Sequence, residues 1–287
     1  MGPSHQYPPY EHRGPWFERA FYHEVEKQQI TFPQPYLVGF WTDFLEAVPG
    51  KGTAKRQRWR QRRVRMGDML RKMRTDLKMF TVVQHDDGLY HPWPPNLTVF
   101  GAGGVGNVPV PLLMPKCPID LEDRPRPKRV TWMGKSRGPN NRFGVRSAML
   151  HAFKKRPEFV DVPVTTDYAA YCDVIKSSAF ALCPAGYGLT SFRLYEVLSL
   201  GTVPVYIHNG TPWLPFSESI DWDALAVLVA PDEIVGLPDR LNAIDEGARK
   251  GMLEYARSVF YEHFVMAGVV RRVRDWLETH GKTPFEN

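Results

Sequence analysis

The stretch Phe180-Ala-Leu-Cys-Pro-Ala-Gly-Tyr-Gly-Leu-Thr-Ser-Phe-Arg-Leu-Tyr-Glu-Val-Leu-Ser-Leu-Gly-Thr-Val-Pro-Val-Tyr-Ile207 decides the fold of this chain. Phe180 to Cys183 is a short apolar run and reads as a buried strand. Pro184, Gly186 and Gly188 punctuate the loop that follows. A helix is expected from Thr190 to Leu200, ended by Gly201, because glycine tolerates the left-handed backbone just past a helix C-terminus. Val203 to Ile207 reads as a second buried strand. Short apolar strands alternating with helices imply a parallel sheet covered on both faces, and hence an α/β fold.

The same stretch carries the candidate chemistry. A helix start offers unpaired N–H groups and the positive end of the helix dipole, which together make an anion site. Gly186 and Gly188 allow the backbone to approach a ligand closely. Either Thr190 or Ser191 can cap the helix. Arg193 and Glu196 are three residues apart and share a helix face. Two readings are open for them: an intrahelical ion pair, or a site in which a diphosphate sits at the helix start and Glu196, about 7 Å further along the axis, holds a ribose. A carboxylate accepts two hydroxyl hydrogen bonds well.

Working outward, Arg129 to Met133 reads as a strand, Gly144 to Lys155 and Tyr168 to Ser177 as helices, and Leu253 to Phe260 and Val265 to Glu278 as closing helices. On the N-terminal side, Trp16 to Lys27 and Asp43 to Val48 read as helices. Thr31 to Trp41 is apolar and β-prone but broken by Pro33 and Pro35. Lys51 to Lys78 is a basic helical run, and Lys78 to Val83 and Leu97 to Phe100 read as strands. The proline-rich segment from Pro109 to Pro127 is expected to link two domains.

The 287 residues accommodate two domains of ordinary size. A hydrophobic content of 43% with 24% charged residues places the chain among globular proteins rather than disordered ones. A net charge of +6 fits an anionic partner: a nucleotide, a nucleic acid or an acidic glycan. Cys117, Cys172 and Cys183 have no metal-like spacing and predict neither a disulfide framework nor a zinc site. No signal-peptide core and no membrane-length apolar run is present. The Asn96-Leu97-Thr98 and Asn209-Gly210-Thr211 acceptor patterns are therefore read as chance. The expected setting is cytoplasmic, a host cytosol if the source is viral, unless a Golgi anchor precedes this sequence.

Two features point elsewhere. Gly101-Ala-Gly-Gly-Val-Gly106 matches a dinucleotide fingerprint after a strand, but the fingerprint needs a helix next. Pro109, Pro111 and Pro115 oppose one, since proline inside a helix costs ~3 kcal/mol. The second feature is the run Arg56, Arg58, Arg60, Arg62, Arg63 and Arg65 with Lys51 and Lys55. It gives no clean amphipathic stripe, so a solvated basic helix is expected. The alternatives are an acceptor-side role towards an anionic glycan or lipid headgroup, and nucleic-acid binding.

The run from Phe180 to Ile207, continued by Pro212-Trp-Leu-Pro-Phe216 and Ile220-Asp-Trp222, closely resembles the exostosin-like glycosyltransferase family, including short soluble members from plants and large algal viruses. His85-Asp86, Val108-Pro-Val-Pro111 and Arg129 to Gly134 with Arg146 resemble further landmarks of that family. The resemblance implies a GT-B architecture, two Rossmann-like domains facing across a cleft, at residues 1–120 and 121–262. Residues 263–287 would form a closing helix returning to the first domain. It implies inverting transfer of a sugar from a UDP-sugar to a hydroxyl of a glycan acceptor. Glu196 would hold the ribose. Pro184, Gly186, Gly188, Thr190, Ser191 and Arg193 would line the donor site, and Lys135, Ser136 and Arg146 would meet the diphosphate. UDP-xylose is the favoured donor; UDP-glucuronate, UDP-galactose and UDP-arabinose are alternatives.

Inverting transfer needs a base for the acceptor hydroxyl and charge stabilisation for the leaving diphosphate. Basic side chains and a helix N-terminus can supply the latter without a metal. No well-placed Asp-x-Asp is present, so neither a metal nor another cofactor is expected. Asp86 is the favoured base, Asp87 the alternative, and His85 an orienting residue rather than the base.

Overall fold

The structure is a computed structural model. It describes residues 15–46, 52–73, 76–89, 92–114, 116–136, 141–163 and 167–280. The chain divides into two compact units, Met1–Pro115 with Glu262–Asn287, and Lys116–Tyr261.

Unit 1 begins with α1 (Phe17–Gln28), whose Phe17, Ala20, Phe21 and Val25 recur at helical spacing and are buried. Next come α2 (Trp41–Glu46) and α3 (Gly52–Arg71). The strands β1 (Met79–Val83), β2 (Leu97–Gly101) and β3 (Val108–Pro109) form a parallel sheet in that order. Every residue of β1 is buried, which matches its uninterrupted apolar and β-branched sequence.

In unit 1 the structure bears on three readings of the sequence. Thr31 to Trp41 makes no strand, only an isolated bridge from Tyr36 to Phe80. Pro33 and Pro35 remove backbone donors, and the segment is held instead by ring packing: Phe32 and Tyr36 lie 4.7 and 4.9 Å from Phe80. The basic run is not simply a solvated helix. Met66 and Leu70 of α3 enter the core with Trp41, Leu45, Val83 and Leu97, Lys55 is buried, and Trp59 packs against that core; Lys51 lies outside the described residues. Finally, β3 follows the glycine loop directly, so no helix is present to hold a dinucleotide. The loop's glycines serve packing: a Cβ on Gly103 would lie 2.3 Å from the Gln84 carbonyl and 2.8 Å from the Asp86 Cα.

Unit 2 contains β4 (Lys128–Trp132), α4 (Val145–Ala152), β5 (Phe159–Asp161), α5 (Tyr168–Lys176), β6 (Ser178–Pro184), α6 (Phe192–Ser199), β7 (Val203–Ile207), α7 (Trp222–Leu225), β8 (Val227–Val229), α8 (Leu237–Ala243) and α9 (Glu246–His263). Its five strands form one parallel sheet in the order β5-β4-β6-β7-β8. Val130, Trp132, Phe180, Leu182, Val205, Ile207 and Val229 fill one buried cluster with Val145 and Met149 of α4 and with Phe153 just after it. The short β5 and β8 and the helices α7 and α8 were not resolved as elements in the sequence. The chain then returns to unit 1 through α10 (Met266–His280), which packs on α1 and places Trp276 against Phe100 at 5.4 Å.

Candidate functional site

The candidate donor site is built at the ends of β4 and β6 in unit 2. The chain leaves β6 at Pro184, passes the loop 185–190 and enters α6. Ser191 caps that helix, its hydroxyl accepting from the Arg193 N–H. Thr190, the other candidate cap, is buried instead, and its hydroxyl has no hydrogen-bond partner among the described residues. At the far end Gly201 has φ +61°, Thr202 N–H donates to the Val197 carbonyl and Gly201 N–H to that of Leu198. This is the Schellman closure, and glycine is suited to its left-handed position.

Trp132, at the end of β4, is the platform of the site. The Arg193 guanidinium lies 4.4 Å from its ring centroid and that of Arg146, on α4, 5.4 Å away. Arg193 donates to the Met133 carbonyl, and Arg146 donates to those of Lys135 (2.7 Å) and Ala185 (3.3 Å). Neither guanidinium forms an ion pair among the described residues. Burial, and then the neighbouring Arg193 charge, push the Arg146 guanidinium down to about 9. Two cations are thus held together, with the Glu196 carboxylate reached only through the Tyr171 phenol, beside a loop and a helix start that favour negative charge. Gly134 is required here: a Cβ would meet the Trp132 ring at 2.7 Å and an Arg193 nitrogen at 3.1 Å.

Glu196, one turn into α6, is 7% exposed. Its two oxygens accept from the hydroxyls of Tyr168 (3.3 Å) and Tyr171 (3.2 Å), both on α5. Arg193 Nε donates to the Tyr171 oxygen at 3.3 Å, so Arg193 and Glu196 are linked through a phenol. Burial, followed by the Glu196 charge, raises both phenols well above the usual tyrosine range, which keeps them protonated donors. Cys117 sits beneath, 3.3 Å from the Tyr168 hydroxyl and 3.0 Å from that of Ser199. All three cysteines are free.

Of the sequence-stretch candidates, Pro184, Gly186, Gly188, Thr190, Ser191, Arg193, Glu196 and Arg146 gather here. Lys135 is exposed and contributes its carbonyl to Arg146, while Ser136 beside it is half-buried. Trp132, Tyr168 and Tyr171 were missed. Tyr168 and Tyr171 had one available signal: two phenols three residues apart on a predicted helix share a face.

In unit 1, His85, Asp86 and Asp87 occupy the turn after β1. His85 is fully buried. Its Nδ1 accepts from the Asp87 N–H at 3.1 Å, which places the ring proton on Nε2, 3.2 Å from Glu46 Oε1. Both ring nitrogens of His85 are engaged in this way. Asp86 and Asp87 are half-buried. Among the described residues no group of three or more His, Cys, Asp or Glu side chains is placed to hold a metal, and no helix is long and apolar enough to cross a membrane.

Residues 54–244 match the exostosin GT47 domain. The chain belongs to that family. It is 40% identical over 91 residues to an exostosin-1 homolog of Caenorhabditis elegans, covering 31% of this chain and 23% of that protein. It is 35% identical over 102 residues to a probable glucuronosyltransferase of Oryza sativa subsp. japonica (35% and 24% covered). It is 33% identical over 102 residues to a probable β-1,4-xylosyltransferase of Arabidopsis thaliana (35% and 24% covered). The matched segments thus span about a quarter of each relative's length. Among solved structures, a sucrose-phosphate synthase from Thermosynechococcus elongatus aligns over 92% of this chain and 72% of its own, at 11% identity and a TM-score of 0.46.

Proposed function

We propose that this protein transfers a sugar from a UDP-sugar to a hydroxyl group of a glycan acceptor, with inversion at the anomeric carbon. The observation that carries the reading is the pair of half-buried arginines, Arg146 and Arg193, stacked on Trp132 beside the capped start of α6. A nucleoside diphosphate supplies the missing negative charge. Glu196, one turn further along α6 and held by two phenols, retains lone pairs for the ribose hydroxyls. As the bond to the sugar breaks, charge grows on the departing diphosphate. Pre-placed guanidiniums and helix N–H groups stabilise that charge without reorganising. Asp86 takes the proton of the attacking hydroxyl. The reaction in this reading uses no metal.

The favoured donor is UDP-xylose, supported by the similarity to a plant protein named as a probable xylosyltransferase. UDP-glucuronate is the nearest alternative, supported in the same way. The test is UDP release from each of UDP-xylose, UDP-glucuronate, UDP-galactose and UDP-arabinose, with xylo-oligosaccharides as acceptor, in excess chelator. Turnover with one donor identifies it. Turnover seen only after adding Mn²⁺ would overturn the metal-independent mechanism, and no UDP release or binding under any condition would overturn the reading as a whole.

A further inference from the structure

Two features of unit 1 lie outside the donor chemistry: the arginine-rich helix α3 and the buried Glu46–His85 pair. They meet at the turn that carries Asp86 and Asp87. From α3, Arg63 sends both terminal nitrogens to the Asp87 carbonyl, at 3.2 Å each, and one to the Leu89 carbonyl at 3.4 Å. Its guanidinium also lies 3.9 Å from the Asp87 carboxylate. Trp59, one turn earlier, fills the space between: its ring is 5.9 Å from His85 and 5.1 Å from the Arg63 guanidinium. From α2, Glu46 accepts from His85 Nε2, and His85 Nδ1 accepts from the Asp87 N–H. Both the N–H and the C=O of Asp87 are therefore held, the C=O by Arg63 of α3 and the N–H by His85, which Glu46 of α2 engages in turn. The Gly103 backbone backs the turn directly, with no room for a side chain between it and Asp86.

We propose that Arg63 and the Glu46–His85 pair are positioning residues that fix the backbone of the turn 85–89, so that the Asp86 carboxylate is presented in one orientation to the acceptor hydroxyl. This rests on the reading of Asp86 as the base. The geometry assigns Arg63 a task that the rest of the arginine run does not share. Arg56, Arg58, Arg60 and Arg65 of the same helix are exposed and Arg62 donates to the Phe44 carbonyl of α2, whereas Arg63 is spent on the carbonyls of the turn. The planar guanidinium fork suits two carbonyl acceptors, and a lysine ammonium does not reproduce it. Glu46 sets the His85 tautomer, which leaves Nδ1 as an acceptor for the turn.

The experiment compares Arg63→Ala, Arg63→Lys, Glu46→Ala, Glu46→Gln and the exposed control Arg65→Gln. Three quantities are read: kcat and KM for sugar transfer to xylo-oligosaccharides, the melting temperature with and without UDP, and hydrogen exchange of the peptide spanning 84–89. Arg63→Ala and Arg63→Lys are expected to lower kcat by about a hundredfold, the scale of a small misplacement of a reacting group. UDP stabilisation should be unchanged and exchange at 84–89 faster. Millimolar guanidinium should restore turnover to Arg63→Ala. Glu46→Gln, which still accepts from Nε2, should keep most of the activity that Glu46→Ala loses, and Arg65→Gln should match the wild type. Wild-type kcat in Arg63→Ala, or exchange at 84–89 unchanged by loss of Arg63, overturns the proposal. A loss of kcat that guanidinium does not rescue and that follows the melting temperature overturns it as well. If the wild-type protein transfers no sugar, the enzymatic reading fails, while the exchange measurement still decides whether Arg63 holds the turn.

Discussion

Arg146 and Arg193 stack on the same indole, that of Trp132, at 5.4 and 4.4 Å from its centroid. Like charges held this close cost stability until an anion joins them. UDP at a hundred times its dissociation constant is expected to stabilise the protein by about 2.7 kcal/mol, a rise of several degrees at roughly 2–4 °C per kcal/mol. Arg146→Ala and Arg193→Ala should each abolish most of that rise, while uridine, which lacks the phosphates, should produce little in any variant. A thermal-shift titration checks this, and an undiminished UDP shift in both variants would falsify the donor site.

Gly134 lies against both Trp132 and Arg193 with no room for a methyl group, which would meet them at 2.7 and 3.1 Å. Gly134→Ala must displace one of them, at a cost of about 1–3 kcal/mol. UDP affinity should fall at least as far as overall stability, and isothermal titration alongside chemical denaturation separates the two. A variant with lowered stability and wild-type UDP affinity would show that the indole platform is not part of the donor site.

Glu196→Ala removes the carboxylate acceptor of the buried Tyr171 hydroxyl and of Tyr168, which keeps Cys117, and a buried polar group left unpaired costs about 1–3 kcal/mol. Glu196→Gln keeps the shape and one acceptor oxygen. Stability should therefore be lost in Glu196→Ala and largely kept in Glu196→Gln. Preference for UDP over 2′,3′-dideoxy-UDP should disappear in both. If the wild type does not prefer the ribose form at all, Glu196 has no ribose role.

The buried carboxyl of Glu18 predicts a pH dependence of stability. One oxygen accepts from the Thr42 N–H and hydroxyl and the Gln84 N–H, while the other has no hydrogen-bond partner among the described residues. Burial, partly offset by those hydrogen bonds, raises it above the ordinary value of 4.5. The folded state then binds a proton that the unfolded state has released. Glu18's contribution to stability accordingly falls as pH rises from about 4.5 through the raised folded value. Glu18→Gln, which mimics the protonated acid, should flatten that slope in denaturant unfolding measured from pH 4.5 to 8. An identical slope in the variant would mean that Glu18 is ionised throughout.

Much of unit 2 was legible because its signals are local. The apolar runs of β6 and β7, the serine cap and the closing Gly201 lie within thirty residues, and each obeys a rule of backbone geometry. What escaped was contact across long separations. Tyr168 and Tyr171 reach Glu196 from 28 and 25 residues away, and Arg193 reaches the Met133 carbonyl across 60. No periodicity encodes such meetings. The basic run misled for a related reason: among arginines so close in sequence, nothing local marks Arg62 and Arg63 as the ones whose partners are carbonyls on other segments. Thr31 to Trp41 shows the converse, where β-prone residues were present and two prolines decided the outcome.

Unit 1 is assembled from both ends of the chain, with α10 lying against α1, whereas unit 2 is one uninterrupted segment. During synthesis the two units therefore come to completion in the reverse of the order in which they begin. All of unit 2 has been made by Tyr261, but the N-terminal unit must wait, its α1 surface uncovered, until Met266 to His280 emerges from the ribosome. The segment that starts first finishes folding last, and the interval between leaves apolar surface open to association with other chains.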